Sequence, residues 1–240
     1  MGSAPLSPGA GQLTVPTVQQ HPSPNCGPRR DGLTPSLIVL HYTAMTSARA
    51  ALVRLCCPDH EVSSHYLIGQ DGQTWQLVDE DQRAWHAGAG SWQGVSDINS
   101  RSIGIELCND GTSPFPDPQM TALEALLKDI QARRPIAASG VIGHSDMAPG
   151  RKSDPGRRFD WARLARLGLA YAARSGDCAA VDPPRFAVDL GRIGYDTTGP
   201  DPLPAFRHRT RPWANGPLDA YDMALARSWA DAVDAGSASA

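Results

Sequence analysis

The run Leu37-Ile38-Val39-Leu40 constrains this chain more than any other stretch. Four consecutive apolar residues without alternation are the pattern of a strand buried on both faces, which requires layers of other elements above and below it. The run ends in His41-Tyr42-Thr43. A polar trio directly after a buried strand sits at the strand's carboxyl end, where α/β sheets place their ligand sites.

Other segments supply the layers. Thr46 or Ser47 can cap a helix through Ala51, Leu52, Leu55 and Cys56 that Pro58 stops. Ser63 to Ile68 and Trp75 to Val78 read as strands joined across Asp71-Gly72, a strong hairpin signal. Ser102 to Cys108 is a further strand. Asp117 as cap and Pro118 at the first helical position open an amphipathic helix carrying Met120, Leu123, Leu126, Leu127 and Ile130. A strand over 140–143 follows, and Asp160 caps a helix reaching to about Arg174. Helices alternating with strands, plus one hairpin, predict an α/β fold with a mixed central sheet flanked by helices.

At 240 residues there is room for one domain and a small second one. Residues 1–34 are rich in Gly, Pro and Ser and read as an extended or disordered arm. The main domain is expected over 35–176, a linker marked by Asp182-Pro183-Pro184 over 177–184, a three-helix domain over 185–235, and a tail over 236–240. A formal charge of −3 argues against a nucleic-acid surface. No apolar run approaches the length of a membrane span, and the start lacks the basic and apolar parts of a secretory signal. A monomeric, cytoplasmic protein is expected, or a periplasmic one if a leader was removed. The five cysteines form no Cys-x-x-Cys pair and read as buried or free thiols.

The chemistry concentrates at strand ends. His41 closes one strand, and His144 directly follows another in the loop GHSDMAPGRKSDPG, Gly143 to Gly156. Asp154 lies ten positions after His144, with Lys152 two before it. Two imidazoles and a carboxylate with a fourth position open form the ligand set of a catalytic zinc, although a histidine taken singly is more often an ordinary surface or hydrogen-bonded core residue. Glu106, inside the apolar Ile103-Gly104-Ile105-Glu106-Leu107, is costly to bury without a partner or a task; on an alternating strand it also fits a face open to water.

Five blocks carry a resemblance: LHYTA (Leu40 to Ala44), SSHYLIGQDG (Ser63 to Gly72), AWHAG (Ala84 to Gly88), SIGIELCN (Ser102 to Asn109) and the Gly143 loop. In this order they resemble the zinc-dependent N-acetylmuramoyl-L-alanine amidases of type 2, the family of AmpD, AmiD, phage amidases and peptidoglycan recognition proteins. The resemblance implies that His41, His144 and Asp154 bind Zn2+ and that Glu106 and Lys152 are catalytic. It implies that His65 and His86 line the cleft and contact substrate or support the metal ligands. It also implies peptidoglycan fragments or muropeptides as partners, cut between the lactyl group of N-acetylmuramic acid and L-alanine. A non-catalytic peptidoglycan receptor of the same fold is the alternative, and a thiol or serine hydrolase using Cys108 or Ser145 a weaker third. Residues 190–195, 205–209 and 216–219 resemble the three-helix peptidoglycan-binding module of AmiD-type enzymes, with Arg207 where glutamine is usual.

Overall fold

In the computed structural model, which describes residues 17–171, 173 and 180–237, the apolar run becomes the strand Leu37–Tyr42, one in from the edge of a six-stranded sheet. In chain order the strands are β1 (Val18–Gln20), β2 (Cys26–Pro28), β3 (Leu37–Tyr42), β4 (Tyr66–Ile68), β5 (Thr74–Gln76), β6 (Gln82–Ala84), β7 (Ser102–Leu107) and β8 (Val141–Gly143). The main sheet runs β1-β5-β4-β7-β3-β8, and β2 and β6 form a separate antiparallel pair. β4, β7, β3 and β8 run parallel to one another, while the hairpin makes β5 antiparallel to β4, so the sheet is mixed as the pattern predicts.

Helices complete the layers: α1 (Ala48–Leu55), α2 (Ile98–Arg101), α3 (Asp117–Arg133), α4 (His144–Met147), α5 (Trp161–Arg166), α6 (Pro183–Ile193), α7 (Leu203–Thr210) and α8 (Ala220–Ser237). Alternation along β3 explains its continuous run. Ile38 and Leu40 pack on one side with Ile103, Ile105 and the apolar stripe of α3. Leu37 and Val39 pack on the other with Ile142, Trp92 and residues of the C-terminal helices, among them Phe186, Leu190, Phe206 and Trp229. The C-terminal helices therefore share a core with the sheet. Arg209 of α7 reaches across and lies between the rings of Trp161 and Trp229, 4.1 and 4.8 Å from their centroids.

Several boundaries differ from expectation. The described part of the 1–34 arm is bonded in place: β1 pairs with β5 and β2 with β6. Arg29, directly after β2, donates to the carbonyls of Glu80, Asn99, Ser100 and Ser102. Local composition could not show this, because every partner lies far along the chain. Asp182-Pro183-Pro184 is the start of α6 and not linker, since Asp182 accepts from the Arg185 backbone N–H and the prolines occupy the first turn. At α3 the cap is Pro116, and Asp117 instead pairs with Arg163 at 2.6 Å. α5 stops at Arg166, and Gly168 just beyond it takes a left-handed φ of 69°. Residues 1–16, the expected helix end at Arg174, linker positions 177–179, Cys178 and tail positions 238–240 lie outside the described residues. Cys26, Cys56, Cys57 and Cys108 are free thiols. Among the described residues no helix is long and apolar enough to cross a membrane.

Candidate metal centre and its cleft

Sheet register brings the site together. β3 sits between β7 and β8, with His41 opposite Glu106 and Leu40 opposite Gly143, so His144 follows one residue beyond a strand adjacent to His41. Asp154 returns through the Gly143 loop, where its carbonyl accepts from the Ser145 N–H. The Nδ1 atoms of His41 and His144 are 2.9 Å apart, and Asp154 Oδ2 lies 2.9 Å from the first and 3.0 Å from the second. All three residues are buried.

The hydrogen bonds around this cluster assign its protons. His144 Nε2 faces the carbonyl of Ala87 at 2.8 Å, and a carbonyl only accepts, so Nε2 carries the hydrogen. His41 Nε2 faces His86 Nδ1 at 3.0 Å, and His86 Nε2 faces Ser102 Oγ at 3.1 Å. Ser102 Oγ in turn donates to the Ile98 carbonyl at 2.6 Å. Because that chain ends on an acceptor, every link upstream must donate towards it. Both Nδ1 atoms are then left with lone pairs, aimed at each other and at a carboxylate oxygen. Three acceptors at this separation repel unless a proton or a cation lies among them. Neutral nitrogens and a carboxylate, each ring oriented by an outer partner, are the donor set of a metal ion. Burial, reinforced by the neighbouring His144, lowers the His41 pKa to about 4 and favours the neutral ring that such a site needs.

The cluster opens into a cleft of about 400 Å³ whose lining includes His86, Glu106 and Lys152 as well as the three acceptors. Glu106 Oε2 is buried and has no hydrogen-bond partner among the described residues. Burial, and then the charge of Asp154, push its pKa up to about 8 against the pull of Lys152. Such a carboxyl can hold and release a proton near neutral pH. Lys152 is exposed at the cleft rim.

His65 and His86, expected together at the cleft, are separated. His86 is in the cleft wall, but both its ring nitrogens are engaged, so it orients His41. His65 is fully buried behind it and is not among the lining residues. Its Nδ1 accepts from the Gly104 N–H at 2.9 Å, and its Nε2 faces Gln82 O and Arg29. This is a correction for His65: its polar atoms are consumed by backbone and by the arm. Cys108 does not line the cleft, and burial raises its thiol pKa, the reverse of an activated nucleophile.

Sequence reasoning missed Arg151, whose guanidinium donates to Ala87 O and Ala89 O, and Asn99, whose Oδ1 accepts from the N–H groups of His86 and Ala87. One available signal was Gly104, a glycine inside an apolar strand, which marks a close approach. A Cβ there would fall 2.5 Å from His86 Cγ.

Comparison with known proteins agrees with this geometry. The family described as N-acetylmuramoyl-L-alanine amidase matches residues 31–157. N-acetylmuramoyl-L-alanine amidase AmiD of Escherichia coli (strain K12) is 37% identical over 229 residues, covering 80% of this chain and 81% of that protein. 1,6-Anhydro-N-acetylmuramyl-L-alanine amidase AmpD of Citrobacter freundii is 37% identical over 163 residues, covering 61% of this chain and 87% of that protein. The solved complex of E. coli AmiD with anhydro-N-acetylmuramic acid-L-Ala-D-gamma-Glu-L-Lys superposes with a TM-score of 0.75 at 34% identity, over 86% of this chain and 90% of that one. With its cluster of acceptors at the parallel strand ends, a family match over residues 31–157 and a relative aligned over 80% of its length, the chain belongs to the N-acetylmuramoyl-L-alanine amidase family.

Proposed function

We propose that this chain hydrolyses the amide between the lactyl group of N-acetylmuramic acid and L-alanine in peptidoglycan fragments, with His41, His144 and Asp154 holding a zinc ion. The observation that carries this is the convergence of three proton-free acceptors within 3.0 Å, beside a buried carboxyl without a partner. Zinc in such a donor set supplies Lewis acidity, polarising a carbonyl and making water more acidic. Glu106 accepts a proton from the water whose oxygen attacks the carbonyl carbon. As the C–N bond breaks, Glu106 returns that proton to the departing amine, leaving a carboxylate on the lactyl group. The Lys152 ammonium, exposed at the cleft rim, stabilises the negative oxygen formed on attack. His86 and Ala87 O keep both imidazoles in the tautomer that presents Nδ1.

The working unit is a monomer, since one chain supplies all of these residues. The C-terminal helices serve as the second layer of the amidase, because their apolar faces and those of β3 and β8 form one core. Mass spectrometry of a muropeptide incubated with the protein tests the assignment. The expected result is a free L-Ala-peptide from the wild type, with none after chelation and at least a 100-fold lower rate for Glu106→Gln at unchanged zinc content. Binding of muropeptide without any release would instead identify a receptor.

A further inference from the structure

Two residues beyond the ligand His144, Asp146 carries a carboxylate that is almost fully buried. Its Oδ2 accepts from the Gly143 N–H at 2.7 Å, closing the turn that presents His144. Both remaining partners come from the C-terminal helical part. Tyr195 OH donates to Oδ1 at 2.8 Å, and Arg209 Nη1 donates to Oδ2 at 3.1 Å. The other terminal nitrogen of Arg209 donates to Val141 O at 2.9 Å and Tyr171 O at 3.2 Å. The side chains of this ion pair are 1% and 2% exposed.

A buried pair of this kind is poor value as a stability device, because desolvation of both charges offsets their attraction and an apolar replacement is often as stable. Its geometry points elsewhere. The pair grips the backbone of β8 at its first and last residues, Val141 and Gly143, and the next residue is His144. We infer that Asp146, held by Tyr195 and Arg209, is a positioning residue for His144, so that the C-terminal helices set the geometry of the metal centre. The inference rests on the metal-dependent reading of that centre. A ligand whose turn is loosened binds its ion less tightly even when the fold survives, and loss of an outer partner typically lowers metal affinity about 10- to 100-fold.

The test measures zinc affinity of the full chain by competition with a chromophoric chelator, together with the visible spectrum of the cobalt-substituted protein and its thermal midpoint. The variants are Asp146→Asn and Tyr195→Phe. Asp222→Asn serves as a control, because it breaks the buried Arg207–Asp222 pair inside the C-terminal part without touching the turn. The expected result is a zinc affinity about 10-fold or more weaker in the first two, with shifted cobalt bands. Asp222→Asn should lower the midpoint and leave zinc affinity unchanged. Affinity within about twofold of wild type in folded Asp146→Asn and Tyr195→Phe would overturn the inference. So would an equal loss in Asp222→Asn, which would make the effect general destabilisation. Should Asp146→Asn fail to fold, Tyr195→Phe decides alone, since it removes only one hydroxyl. Failure of the metal reading itself would appear separately, as absence of zinc binding in the wild type.

Discussion

A methyl group at position 104 would strike the His86 ring, which cannot yield cheaply because both its nitrogens are bonded, one of them to His41. Gly104→Ala is therefore expected to fold with a cost of about 1–3 kcal/mol from overpacking. Through His86 and His41 it should also lose zinc affinity, which equilibrium dialysis with elemental analysis would measure. Unchanged affinity would show that His86 can move without disturbing the ligand. The clustering of His41, His144 and Asp154 was legible in the sequence because strand ends and a Gly-Pro-rich loop can be read from local pattern. Their supports were not, because Ala87 O and Ile98 O are backbone atoms, and residue type says nothing about where a carbonyl will point. His65 shows the reverse limit. A histidine in a family-like block looks equally functional whether it faces a cleft or lies beneath it.

Among the elements, those defined by close-range signals fell where the pattern put them: β3, the β4–β5 hairpin, α1 with its Ser47 cap, and the stripe of α3. The arm and the start of α6 did not, since the first depends on distant partners and the second used the same Asp-Pro signal that also marks a linker. The end of α3 gives a case for pH. Glu80 accepts from Arg133, Arg134 and the Tyr66 hydroxyl, tying α3 to β4. Burial works to raise the Glu80 pKa, but these hydrogen bonds outweigh it and bring it from 4.5 to about 2. A carboxyl depressed on folding stabilises the fold fully above its unfolded pKa and loses that contribution as pH falls through the folded one. The urea midpoint of Glu80→Gln should thus lie below wild type at pH 7, and the gap should narrow between pH 4.5 and about 2. A gap independent of pH would remove Glu80 from the acid response.

Across the whole molecule, one sheet is covered by α3 and α5 on one face and by α6, α7 and α8 on the other. Trp229 is fully buried in the second layer. Trp229→Ala should destabilise the protein by about 3–5 kcal/mol. Urea unfolding followed by circular dichroism and by tryptophan fluorescence should shift as a single transition, whereas two separated transitions would divide the chain into independent units. Arg29 carries a consequence of another kind. Its guanidinium is seated by carbonyls of residues 80, 99, 100 and 102, and β1, earlier in the same arm, needs β5. On a ribosome, those acceptors emerge long after the arm that will use them. The arm is translated before any of these partners, so a nascent chain halted before Thr74 lacks every strand and carbonyl that seats β1, β2 and Arg29.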